Sequence, residues 1–95
     1  MEVHEIIGGV SDRSKSIGMT AMLLFLCPEC HGRLGSRPNQ ESLVSQMAWK
    51  LWADPDNYTP EAVIRLWRPK CTEAFLAEVL AEVAIEYANI RENYQ

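Results

Sequence analysis

The chain has 95 residues, 47% of them hydrophobic and 23% charged, with a formal net charge of −4. That length suits a single domain rather than two independent cores, and that composition is a folded chain's rather than a disordered one's. The longest strongly apolar run, Ala21 to Cys27, is seven residues. A membrane-spanning helix needs about 20, so no membrane association is expected. The start, Met1-Glu2-Val3-His4, has no basic region followed by an apolar stretch, and a cytoplasmic protein is the expectation.

Taken in chain order, Met1 to Ile7 alternates loosely and is rich in β-branched side chains, which predicts a strand ended by Gly8-Gly9. Val10 to Thr20 is polar and reads as a long loop. Ala21 to Cys27 has the length and apolarity of a buried strand or a buried helical turn. Pairing with the first strand favours the strand. Pro28 suits the first position of a short helix carrying Cys30, His31 and Leu34 and stopping near Gly35.

Ser36 to Asn39 is a linker. Asn39 can then cap a helix whose apolar positions, Leu43, Val44, Met47, Ala48, Leu51 and Trp52, fall at helical spacing. Asp54-Pro55-Asp56-Asn57 breaks it. Thr59-Pro60-Glu61 starts another helix, with Val63, Ile64, Leu66 and Trp67, that ends at Pro69. A last helix begins at Thr72 and keeps Leu76, Val79, Leu80, Val83, Tyr87 and Ile90 on one face. The expected class is α+β, a β-hairpin plus short helix followed by three helices. Residues 1–36 would be the core and 37–95 a helical extension packed on it, one domain in all.

Charge is unevenly spread. Residues 1–38 balance Arg13, Lys15, Arg33 and Arg37 against Glu2, Glu5, Asp12 and Glu29, whereas the last helix carries Glu73, Glu78, Glu82, Glu86 and Glu92 against Arg91. An acidic total therefore leaves room for a locally basic site, although it weakens the case for tight non-specific DNA binding. The four-residue spacing of Glu78, Glu82 and Glu86 is that of a solvated helix face. The apolar stripe opposite it suggests a homodimer through the C-terminal helix.

Three cysteines do not make a disulfide framework. Cys27 and Cys30 stand as Cys-x-x-Cys with His31 directly after, a spacing that points to metal or redox chemistry. The βαβ pattern a thioredoxin-like site would want is missing. His4, on the first strand, and His31, on the helix after the second, can face one another and share one divalent ion. Glu5, next to His4, points to the other face of a regular strand. A strand distortion, or an approach from the substrate side, would be needed for it to act as general base on a water. Trp49, Trp52 and Trp67 lie on helical faces among Leu and Ile, as core residues do more often than base-stacking platforms. Asp12, Arg13 and Lys15 read as a solvated loop that could touch phosphate.

The run Val3-His4-Glu5-Ile6-Ile7-Gly8-Gly9, then Ser16 through Leu26, then Cys27-Pro28-Glu29-Cys30-His31, resembles the core of HNH endonucleases. It is closest to a small phage- and mobile-element-associated branch whose first motif reads His-Glu. Ser45 to Trp52 and Pro60 to Trp67 are similar to helices that trail the motif there, so the resemblance covers roughly residues 2–68. It implies a ββα-metal core and metal-dependent hydrolysis of DNA phosphodiesters. His4 and His31 would be ligands of a Mg, Mn, Ni or Zn ion, Glu5 the residue at the base position, and Cys27 with Cys30 half of a structural zinc site.

The chain departs from the family in three respects. No asparagine matches the middle motif, since Ser11 and Asp12 occupy that loop. Gly35 stands where a third ligand is common. The partner Cys-x-x-Cys expected upstream of the first strand is not in the sequence, and Cys71 could replace only one of its two ligands. A non-catalytic module with the same ancestry, binding DNA or protein, is the alternative.

Overall fold

The computed structural model describes residues 2–6, 23–26 and 38–94; of residues 2–5 and 23–26 it describes the backbone alone. Two short strands, β1 (Glu2–Glu5) and β2 (Leu23–Leu26), pair antiparallel, with Glu2 opposite Leu26 and His4 opposite Leu24. Three helices follow: α1 (Gln40–Ala53), α2 (Pro60–Trp67) and α3 (Glu73–Tyr94).

Each helix starts where local chemistry allows it. Asn39 lies in extended backbone, and its Oδ1 accepts from the Ser42 amide at 2.8 Å, capping α1. Pro60 opens α2 at the position where a missing N–H costs nothing. Thr72 Oγ1 accepts from the Phe75 amide at 3.0 Å, which caps α3. The helices stop as locally. The Asp54 amide closes α1 on the Lys50 carbonyl at 2.8 Å, and Asn57 Nδ2 donates to both Asp54 carboxylate oxygens at 2.9 Å. That clamp, followed by a single 3-10 turn at Pro55–Asn57, turns the chain into α2.

The core is a helical one. Leu43, Val44, Met47 and Ala48 of α1, Val63, Ile64 and Trp67 of α2, and Leu76, Val79, Val83 and Ile90 of α3 are buried together. Ile6, directly after β1, joins them at 1% exposure. The main contact is α1 along α3, with α2 packed on α3 and β2 approaching α1. Trp67 closes the open end. Its indole Nε1 donates to the Pro38 carbonyl at 3.1 Å, and its ring stacks on Phe75 with centroids 6.2 Å apart.

This arrangement corrects the expected α+β class. Among the described residues the structure is mainly helical, not a β-hairpin plus helix core with helices appended to it. The physical reason lies in where the apolar periodicity is. Residues 43–90 repeat apolar side chains at helical spacing over three elements, and those side chains bury one another. A two-stranded ribbon of four residues a side is not independently stable, so it depends on the helices rather than organising them. The short helix expected from Pro28, which the motif would have required, lies outside the described residues.

Candidate functional site

The backbone of His4 and Glu5 belongs to β1, while their side chains lie outside the description. Cys27, Cys30 and His31 lie outside it altogether, as do Ser11, Asp12, Arg13 and Lys15. What the register does supply is a backbone relation. Because Glu2 faces Leu26, β1 runs beside the strand that leads directly into Cys27. Among the described residues, no group of three or more His, Cys, Asp and Glu is arranged to hold a metal ion. Cys71 is a half-buried free thiol in the turn between α2 and α3.

The helical body carries two grooves, one on each side of Gln40, the first residue of α1. The first, of about 590 Å³, lies between the opening turns of α1 and the middle of α3. Glu41, Val44 and Ser45 line it from α1, and Glu82, Ile85 and Glu86 from α3. Its charge is negative. Gln40 Nε2 donates to Glu82 Oε2 at 2.8 Å across the groove, joining residues 42 apart in the chain. Ile85 stands 66% exposed beside these carboxylates.

The acidic row of α3 is therefore not uniformly solvated. Glu78 is exposed as expected, whereas Glu82 and Glu86 are half-buried where α1 begins.

The second groove, of about 700 Å³, is lined by Gln40, Trp67, Arg68, Pro69, Lys70, Cys71, Thr72 and Phe75. Its charge is positive. The Arg68 guanidinium lies 4.5 Å from the centroid of the Trp67 ring, a cation–π contact that holds the charge at the groove edge. Arg65 stands nearby in sequence but is engaged, Nη2 meeting Glu73 Oε1 at 2.9 Å, and this carboxylate raises the Arg65 pKa.

The three tryptophans are structural. Trp67 is buried, and Trp49 and Trp52 pack half-buried against the core, Trp49 edge-on to Tyr94 at 5.1 Å. Sequence reasoning passed over the basic groove, although the run Arg65-Leu66-Trp67-Arg68-Pro69-Lys70 is the densest cluster of positive charge in residues 38–94 and was open to view. Gln40 carries no such signal, because its role comes from a contact with a residue far along the chain.

No family model, curated protein or solved structure matches this chain. No helix among the described residues is long and apolar enough to cross a membrane.

Proposed function

We propose that this protein is a metal-dependent phosphodiesterase acting on DNA, with chemistry of the HNH type. His4 and His31 hold a divalent ion, Glu5 serves as base or extra ligand, and Cys27 and Cys30 are half of a structural zinc site. The observation that supports this most directly is the pairing of β1 with β2. The strand bearing His4-Glu5 runs antiparallel to the strand that continues into Cys27-Pro28-Glu29-Cys30-His31. Motif halves more than 20 residues apart in sequence thus start from neighbouring backbone.

The donor types fit the ions. Imidazole nitrogen suits zinc and nickel, and thiolate suits zinc. A divalent ion bound there would stabilise the oxygen that leaves phosphorus. The protein's own part is then simple. Glu5, which a regular strand turns to the face opposite His4, would take the proton from a water approaching from the substrate side as that water's oxygen bonds to phosphorus and the bond from phosphorus to the leaving oxygen breaks.

A plasmid-nicking assay with Mg²⁺, Mn²⁺, Ni²⁺ or Zn²⁺ tests the reading. Nicking is expected with at least one metal, falling to background in His31→Ala and by about 10²- to 10⁴-fold in Glu5→Gln. Nicking unchanged in His31→Ala would sink the assignment. One observation favours a second reading, a non-catalytic module that binds DNA or protein: the five carboxylates of α3 oppose the close approach of phosphate. Oligonucleotide binding with no cleavage under any metal is the outcome that selects it.

A further inference from the structure

The two grooves of the helical body are opposite in charge, similar in size and adjacent, because Gln40 lines both. On one side stand Glu41, Glu82 and Glu86, and on the other Arg68 and Lys70. Among the described residues, Glu41, Glu86 and Lys70 have no ion-pair partner, and Arg68 lies over the face of Trp67. Each half also offers apolar surface to a visitor, Ile85 in the acidic groove and the half-buried Phe75 in the basic one.

A surface that holds an acidic and a basic half side by side is complementary to itself. A two-fold axis passing between the halves lays the acidic half of one copy on the basic half of the other, and the reverse contact forms at the same time. Every contact is then made twice, and no unpaired sticky surface is left to propagate. A wholly acidic partner would leave the carboxylates facing like charge, and a wholly basic one would do the same to Arg68 and Lys70, so complementarity favours a second copy of this chain.

We propose that this protein forms a closed two-fold dimer through the surface centred on Gln40, with Arg68 and Lys70 of each copy seated in the Glu41–Glu86 groove of the other. This refines the expectation of a homodimer through the C-terminal helix. The contact uses only the middle of α3, together with the start of α1 and the α2–α3 turn. It does not rest on the metal chemistry proposed above, and the two can fail separately.

Sedimentation or light scattering of the full chain tests it. The screening length falls from about 10 Å at 0.1 M salt to about 3 Å at 1 M, so the dimer is expected to loosen by roughly tenfold or more between them. Reversing the basic half (Arg68→Glu with Lys70→Glu) gives a monomer, as does reversing the acidic half (Glu41→Lys with Glu86→Lys). Mixing the two variants restores a one-to-one dimer, because each contact is complementary again. The single exchanges Lys70→Glu and Glu41→Lys, both at exposed positions, repeat the test should a double variant fail to fold by circular dichroism.

Three results would overturn the proposal. The first is a monomeric wild type at about 0.1 M salt, including one whose Arg68 and Lys70 instead bind a labelled oligonucleotide. The second is a dimer indifferent to the charge reversals. The third is open-ended oligomers in the mixture, which would mean a head-to-tail contact and not a closed one.

Discussion

The body from Pro38 to Tyr94 and the N-terminal stretch with His4, Glu5, Cys27, Cys30 and His31 differ in the kind of residue each carries. Among the described residues, the body supplies the buried hydrophobic side chains other than Ile6, and its helices begin and end on caps that can be read one residue at a time. The N-terminal stretch holds both histidines and two of the three cysteines, and adds Ile6 to the core. Packing demands many apolar side chains at a regular period, whereas metal chemistry demands a few particular side chains that need no period at all. Substitutions in the two regions should therefore separate stability from chemistry.

The largest effect is expected at Trp67. It is 2% exposed, donates to the Pro38 carbonyl and stacks on Phe75, so Trp67→Ala leaves a large cavity and an unpaired carbonyl. A loss of about 3–5 kcal/mol is expected in urea denaturation followed by circular dichroism. A loss below about 1 kcal/mol would mean that the site collapses and that this end of the core is not tightly packed.

Ile6 gives a smaller effect and bears more directly on the division. It is the described residue that brings the N-terminal stretch into the core. Ile6→Ala should cost about 2–4 kcal/mol, within the usual range for buried aliphatic truncation, and keep a single cooperative transition. A near-neutral change would cut the N-terminal stretch loose from the helical body as a stability unit.

The same division explains what was legible in the sequence. The Asn39 cap, the Pro60 start, the break at Asp54–Asn57 and the start of α3 after Thr72 rest on interactions spanning a few residues, and spacing reveals them. Lys50 falls three residues after Met47 on the buried stripe, a burial that spacing suggests and that its charge, usually a mark of the surface, disguises. The structure departs from the expected α+β class because a metal-type motif such as Cys27–His31 carries no information on where the core lies, whereas apolar side chains at helical period do. The candidate grooves were illegible for another reason. The contact of Gln40 with Glu82, and the opposite charges flanking it, are made by residues that only tertiary packing brings together.

Asp54 closes the boundary between α1 and α2 and is expected to give the smallest effect of the three, with a distinctive dependence on pH. Its carboxylate accepts from Lys50 Nζ at 3.0 Å and from Asn57 Nδ2 at 2.9 Å, and these bonds, the Lys50 one foremost, hold its pKa below the usual 3.8. The Lys50 side chain is 3% exposed and that of Asp54 is 34% exposed, so one end of the bond is dry and the other is wet. A lowered folded pKa means that the unfolded chain takes up the proton first as pH falls. The contribution is therefore complete above the unfolded value, declines as pH drops through about 4, and is gone below the folded value. Asp54→Asn keeps the shape but not the charge. It should denature at a lower urea concentration than wild type at pH 7, by less than Ile6→Ala does, with the gap closing steadily as pH falls below about 5. A gap that stayed constant across that range would show that the carboxylate's charge is not what secures the end of α1, and that the hydrogen bonds of a neutral side chain serve as well.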